Sequence, residues 1–468
     1  MPGGRKSKSS GSVPPARTLV LDNGAYTLKA GFVSEELTEE PRVIPNCIAR
    51  DRARKVYVAS DLDRCRDFGE IQFRRPVEKG FIVNWEAQKE IWDHEFFDDN
   101  ALQKCDPSET RLLLTEQPSS LPILQTNCDQ IIFEEYQFAS YYRGLGMRFR
   151  ESLLLTTTDL CLLELGASFN AYHDIQGILQ TPRDPNTIPQ LPAEIVLLID
   201  SGYSHTIVMP LLNGRPLHSA VRRLDVGGKL LTNFLTRLLS LRYYDMRNDT
   251  YIVNEIKEQA CYVSLDFNGD LEKTWKGTRN EKREPYVTGA GIAKDYALPD
   301  FHTRTKGVVR EYDPAMHTKA RKMAARAADN DEDILTLRNE RFSVPELLFQ
   351  PSDIGLRQPG LADVVMQSLS ELPVGLWPGL LANIVVVGGN ALFPGFIQRL
   401  EKELVKRVPD ACIVRVAHPV DPITSTWHGA ANLAKHPDIL KLSATRQEYE
   451  EYGHAWVAHK FKSGTTDD

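Results

Sequence analysis

Short apolar runs built from β-branched residues and leucine recur along this chain, and three of them close on glycine. Thr18-Leu19-Val20-Leu21 leads into Asp22-Asn23-Gly24, and Ile195-Val196-Leu197-Leu198-Ile199 leads into Asp200-Ser201-Gly202. Ile384-Val385-Val386-Val387 ends on Gly388-Gly389. Runs of this kind bounded by turn residues predict buried strands feeding tight turns. Leu112-Leu113-Leu114-Thr115, ending at Glu116-Gln117-Pro118, predicts another buried strand. Elsewhere the spacing lengthens. Trp85, Ile91, Trp92, Phe96 and Phe97 predict an amphipathic helix over 83–97. Ile131, Phe133, Tyr136 and Phe138 predict one over 127–143, facing inward. A helical patch over 60–68 takes Ser60 as its N-cap. The spaced aromatics Tyr449, Tyr452, Trp456 and Phe461 predict a terminal helix.

Two stretches break the pattern. Residues 166–193 fall into Gly, Asn, Pro and Gln, with prolines at 182, 185, 189 and 192, and predict a surface insertion. Residues 268–333 hold few large aliphatics. A basic stretch (Arg304, Lys306, Arg310, Lys319, Arg321, Lys322, Arg326) precedes acidic Asp329, Asp331, Glu332 and Asp333. The plainer reading is a solvated, partly disordered insertion that compensates its own charge. The sharper one is an arm that faces a partner or DNA. The first 17 residues are polar, basic and rich in Gly, Ser and Pro, which predicts a disordered tail. Arg5, Lys6 and Lys8 there either belong to a nuclear-import signal or are simply solvated.

Composition narrows the function classes. A chain of 468 residues is long enough for two or more domains, each with its own core. A net charge of −7 argues against nucleic-acid binding over the whole surface, leaving only local basic patches. Seven cysteines, at 47, 65, 105, 128, 161, 261 and 412, show no C-x-x-C spacing, so a reducing compartment is expected. None of the eleven histidines falls in an H-x-x-x-H pattern, and no metal site is expected from them. The absence of an apolar segment near twenty residues, or of a signal-peptide core, predicts a protein neither membrane-spanning nor secreted.

The candidate chemistry lies in the paired Asp-x-Gly turns. In open α/β sheets, ligands collect beyond the carboxyl ends of strands, so both aspartates are expected at a crevice. Turn N–H groups suit phosphate, and the carboxylates suit a hydrated divalent cation. Two copies suggest two similar lobes clasping one ligand.

From Thr18 to Phe461 these segments together resemble the actin superfamily. Leu21 to Phe32 (LDNGAYTLKAGF) resembles its first phosphate loop, and Arg75-Pro-Val-Glu-Lys-Gly80 with Asn84-Trp85 its return into the main subdomain. Ile256 to Phe267 resembles the adenosine-side helix. Arg341-Phe342, Pro345-Glu346, Phe349 to Ser352, Gly388-Gly389-Asn390 and Phe393-Pro-Gly395 follow in the family's order. The resemblance implies an α/β, actin-like (ribonuclease H-like, duplicated) fold, with two lobes and four subdomains around a central nucleotide cleft. The first lobe would take 18–165 and 425–468, with a small subdomain at 46–75. The second would take 194–424, with a small subdomain at 226–356. The retained cleft residues are Asp22, Gly24, Lys29, Asp200, Ser201, Gly202, Lys257, Glu258, Gly388 and Gly389. They could hold ATP and magnesium, as in actin, or persist as turn glycines and paired carboxylates. Both readings stay open.

The departures from the family pattern bear on activity. Ala25 and Tyr26 stand where actin has small serine and glycine residues, and Tyr203 and Ser204 replace its Asp and Gly. No glutamine occurs over 138–175 to position an attacking water. In-line hydrolysis depends on such positioning, so no catalytic residue is expected. Between Pro45 and Pro76, where actin carries a filament-contacting loop, the stretch is shorter and heavily charged, so no homopolymer is expected.

Within the superfamily, the segments 19–26, 133–138, 196–203, 226–233 and 448–454 resemble the actin-related protein 6 family. That resemblance implies a nuclear architectural subunit of a Swr-type chromatin remodeller, which exchanges a variant histone into nucleosomes. Its partners would be the motor subunit, a zinc-finger subunit, the nucleosome and, through the 304–326 arm, DNA. The nucleus is the expected compartment, with the cytoplasm a second. The alternatives are an ATPase of the same superfamily, which needs intact phosphate loops, and a cytoskeletal filament-associated protein, which needs polymer contacts.

Overall fold

The two Asp-x-Gly runs become the first strands of two hairpins, each at the centre of its own sheet. The computed structural model describes residues 17–34, 37–118, 120–144, 195–212, 215–274, 291–301, 304–313, 332–436 and 439–462. Arg17–Asn23 pairs antiparallel with Thr27–Val33, which sets Asp22 opposite Lys29. Its other edge runs parallel to Thr110–Thr115. Ser140–Gly144 continues that sheet in parallel, and Ala444–Thr445 and Arg42–Pro45 close its edges. The second sheet repeats the plan. Ile195–Ser201 pairs antiparallel with Thr206–Leu212, and its other edge runs parallel to Ile384–Val387. Each aspartate therefore stands at the carboxyl end of a central strand, the place such sheets reserve for ligands.

Both faces of the Ile195–Ser201 strand are covered, which is why it reads as a continuous apolar run. Leu197 and Ile199 join the large core under the second-lobe helices. Val196 and Leu198 pack on the other face with Ile207, Met209, Val385 and Val387. The first lobe builds its core partly from distant sequence. Helix Ser425–Lys435 sends Trp427 beneath the first hairpin, where its Nε1 donates to the Val20 carbonyl at 2.9 Å. The terminal helix Arg446–Lys462, broken at Gly453 (φ 76°), stacks Tyr449 on Phe133 with ring centroids 4.7 Å apart. It also packs Phe461 against Tyr141. Burial of such rings anchors the chain's end to the first lobe.

A small sheet of Ile48–Arg50, Val56–Val58 and Gln72–Arg74 sits over its own core of Tyr57, Leu62, Phe68 and Ile71. Across the cleft, helices Gly228–Arg242 and Thr250–Ala260 carry a second small sheet, Lys294–Ala297 with Val308–Glu311 and Ile334–Leu337. Among the described residues, no helix is long and apolar enough to cross a membrane.

Two expectations are corrected. The patch over 60–68 is a 3-10 turn, Ala59–Arg64, and Ser60 does not cap it with its side chain. Instead the Ser60 N–H donates to Glu95 Oε1 at 2.9 Å, a cap supplied from another element. The helix over 127–143 runs as Pro122–Gln130, ends in the π-turn Ile131–Glu135 and gives way to the strand Ser140–Gly144. Around 268–333 the described residues include a helix, Phe267–Thr274, and two sheet strands, and Tyr296 is fully buried. The loop over 166–193, the tail 1–16 and Lys319, Arg321, Lys322 and Arg326 lie outside the described residues.

Candidate functional site

The two hairpin turns face each other across the cleft, so local strand register places the candidate residues. Asp22 is taken up by its own hairpin. Lys29 Nζ lies 3.1 Å from its Oδ2, and Thr115 Oγ1 donates to its Oδ1 at 2.7 Å. Asp200 enters from the other hairpin, and no hydrogen bond from a described residue reaches its carboxylate. Burial, with the Asp22 charge adding, pushes the Asp200 carboxyl up to about 6, against the pull of Lys29. Gly388, at φ 89°, lets its strand exit pass close by: a Cβ there would meet the Ser201 carbonyl at 2.4 Å and Asp200 Oδ1 at 3.0 Å. A Cβ on Gly389 would meet nothing within 4 Å, and Gly202 has nothing closer than 3.7 Å. That side of the cleft is therefore open as well as polar.

The remaining predicted residues divide. Gly24 lines the cleft, where a Cβ would run into the Thr27 carbonyl at 2.6 Å. Lys257 and Glu258 line it as well, but both are engaged. Lys257 Nζ donates to Asn254 Oδ1 (2.7 Å) and Thr232 Oγ1 (3.0 Å), and burial lowers its pKa to about 8. Glu258 Oε1 accepts from Asn254 Nδ2 at 2.7 Å. Ser201 turns away from the cleft: its buried hydroxyl meets Thr206 Oγ1 at 2.9 Å and accepts from Asn390 Nδ2 at 3.1 Å. His205 is buried with Nδ1 unpartnered, and burial, then Arg223, lowers its pKa to about 4. A neutral imidazole packed beside Gly80 follows.

At the hairpin tips the two substituted positions meet. The Tyr26 and Tyr203 rings lie 4.7 Å apart, centroid to centroid, tilted by 39°. The Arg75 guanidinium caps them, 4.5 Å from the Tyr26 ring and 5.5 Å from that of Tyr203. The Tyr26 hydroxyl accepts from Asn254 Nδ2 at 3.0 Å. Arg75 and Asn254 lie beyond the predicted set. Arg75 sat inside a quoted motif, but nothing in local sequence signalled that it would stack on a tyrosine.

An actin-type cleft implies a nucleotide and magnesium. Asp22 and the unpartnered Asp200 carboxylate fit a hydrated cation. The tips themselves fit a phosphate chain poorly, because the Tyr26 and Tyr203 rings meet there, beside a cavity of about 520 Å³ that Asp22, Gly24, Asp200 and Gly388 also line. Helix-terminal amides are also spent, since the N–H groups of Gly228 and Lys229 donate to the Gly202 and Tyr203 carbonyls at 3.1 and 2.8 Å. Among the described residues, no group of three or more His, Cys, Asp or Glu side chains forms a metal cluster.

Comparison with known proteins agrees with this architecture. The actin family model matches residues 13–462. The chain is 66% identical over 463 residues to actin-related protein 6 of Neurospora crassa, covering 99% of this chain and 98% of that protein. It is 46% identical over 466 residues to the actin-like protein arp6 of Aspergillus fumigatus, covering 96% and 95%. Against actin-related protein 6 of Drosophila melanogaster it is 35% identical over 437 residues, covering 93% and 97%. With two hairpin-centred sheets facing one cleft and this similarity along its length, the chain belongs to the actin family, in the branch of actin-related protein 6.

Proposed function

We propose that this protein is a non-catalytic, architectural subunit of a Swr-type chromatin remodeller, which replaces resident histone dimers in nucleosomes with dimers that hold a variant histone. In this reading a helicase-type motor subunit consumes the ATP, and the actin fold docks that motor and a zinc-finger subunit. The observation that carries the non-catalytic part is the Tyr26–Tyr203 contact at the hairpin tips. Transfer of a phosphoryl group rests on donors and water held around the phosphate chain, and aromatic rings occupy the space between the tips. Kinship with actin-related protein 6 supports the remodeller part. The nucleus is the compartment this role requires.

Two described arginines of the basic arm are already paired. Glu332 takes both Arg304 (3.1 Å) and Arg310 (2.6 Å). A DNA contact there has to break those pairs or draw on Lys306 and the basic residues of 314–331, so DNA remains the weakest of the proposed partners.

The test is purification of the tagged protein from nuclear extract, with the co-eluting subunits identified. Recovery with a Swr-type motor and its zinc-finger partner is the expected result. Recovery alone, or with cytoskeletal proteins, overturns the proposal. The Asp200 carboxylate, which no described residue hydrogen-bonds, favours one secondary property, binding of a divalent cation without turnover.

A further inference from the structure

The lobes are tied together at three levels, and each tie joins residues of this chain alone. At the hairpin tips, Tyr26 is a first-lobe residue whose ring rests on Tyr203 and whose hydroxyl is held by Asn254, both from the second lobe. Asn254 is itself fixed, because its Oδ1 accepts from the buried Lys257 ammonium at 2.7 Å. Arg75 closes the assembly from above. Its Nη1 donates to the Tyr26 carbonyl at 3.1 Å and lies 3.3 Å from that of Asn46, which aims the guanidinium at both rings.

At the cleft mouth, Phe68 of the first small subdomain stacks on Tyr251 of the second, with centroids 4.0 Å apart and planes 9° from parallel. Beside them the Glu70 N–H donates to Asp249 Oδ1 at 2.9 Å. On the third side, Lys229 pairs with Glu78 at 2.8 Å, and Arg223 Nη2 donates to the Lys79 carbonyl at 3.0 Å. Aromatic and cation–π contacts of this kind are attractive without any bound ligand.

We propose that Tyr26, Tyr203, Arg75 and Asn254 form a clasp that holds the two lobes closed in the place where a nucleotide would otherwise bridge them. The inference rests on the non-catalytic reading above and deepens it. Closure becomes a fixed property of the fold, independent of ATP. Surfaces that span both lobes are then presented to a partner in one constant relative orientation.

Hydrogen exchange of the full-length protein tests this, read at amides of the Thr27–Val33 strand and the Thr250–Ala260 helix. Tyr26→Ala should speed exchange there by about tenfold or more as the lobes open locally, whereas Tyr26→Phe, which keeps the ring, should change it less. Wild-type exchange in magnesium should be the same with about 1 mM ATP as without it, because a ligand stabilises only what it binds. Exchange slowed tenfold by ATP over magnesium alone in the wild type would overturn the clasp, as would Tyr26→Ala exchanging at the wild-type rate. Should Tyr26→Ala not fold, Asn254→Ala carries the same expectation, and the wild-type comparison stands without either variant. Failure of the co-purification removes the remodeller role and leaves these exchange results to be judged alone. Nucleotide-dependent closure removes the clasp even when the co-purification succeeds.

Discussion

Replacing Asp200 with asparagine should make the protein more stable at neutral pH, a result opposite to that expected for a structural aspartate. The carboxylate faces Asp22 across the cleft and receives no hydrogen bond from a described residue, while Asp22 keeps Lys29 and Thr115 to itself. Its pKa is raised from 3.8 to about 6, chiefly by burial. The sign follows from proton binding. Below about pH 4 the group is protonated in both folded and unfolded chains and contributes nothing. Between about 4 and 6 the folded protein binds a proton that the unfolded chain releases, so stability falls as pH rises. Above about 6 the whole penalty is present. At about 1.4 kcal/mol per pKa unit, the shift corresponds to on the order of 2–3 kcal/mol.

Asp200→Asn, melted in chelator near about pH 7.5, should gain several degrees in Tm, since about 1 kcal/mol moves a unit of roughly 150–250 residues, the size of the second lobe, by roughly 2–4 °C. The gain should shrink as the buffer approaches about pH 4. An equal gain at both pH values would mean that charge is not the cause. A loss in chelator at neutral pH would refute the reasoning outright, because it would require a favourable partner for the carboxylate. Adding magnesium separates the secondary property: if the pair of carboxylates binds the cation, magnesium raises the wild-type Tm and leaves the variant unmoved.

Two further outcomes follow from buried contacts. His205, its pKa lowered to about 4 chiefly by burial, should show neutral-imidazole NMR shifts down to about pH 5; because the unfolded chain binds a proton near about 6.5 and the folded one does not, stability should fall as pH drops through that window, and His205→Gln should flatten the slope. A charged signal at pH 6 would contradict this. Gly31→Ala would bring a Cβ within 2.7 Å of Trp427 Cζ2, whose ring is pinned by its bond to the Val20 carbonyl, so a lowered urea midpoint worth about 1–3 kcal/mol with unchanged m-value is expected, and an unchanged midpoint would show that the ring can shift.

Much of the fold could be read from runs of like residues. The Asp22, Asp200 and Val387 strands are central and parallel-paired, so their apolar runs are unbroken and their ends are marked by glycine. The helix over 83–97 also holds, as Trp85–Trp92 continued by the π-turn Asp93–Phe97. The strand Ser140–Gly144 was hidden because its burial is not written in apolar letters. Its Arg143 is 1% exposed and lies between Asp129 (2.7 Å) and Glu116 (3.1 Å), partners supplied by the neighbouring helix and strand exit. Periodicity cannot see a buried charge made tolerable by tertiary pairing. The second small sheet was hidden for another reason: its strands are four residues long, too short for alternation to register against their charged neighbours.

At the site, one division was readable from the strand alone. Successive side chains of a strand point to opposite faces, so Asp200 and Ser201 could not both enter the cleft, and Ser201 lies in the packing with Thr206 and Asn390. The other difference was not accessible in this way. Tyr26 and Tyr203 each read as a loss when judged against its own loop: a bulky ring where backbone should approach phosphate, a ring where a carboxylate should order water. Their contact exists only once two distant hairpins are folded face to face, and it turns two losses into one interlobe bond. Neither ring alone would span the gap. Reverting one of them should therefore weaken closure without restoring a phosphate site, because the other ring and Arg75 would remain and the amides of Gly228 and Lys229 would still be spent.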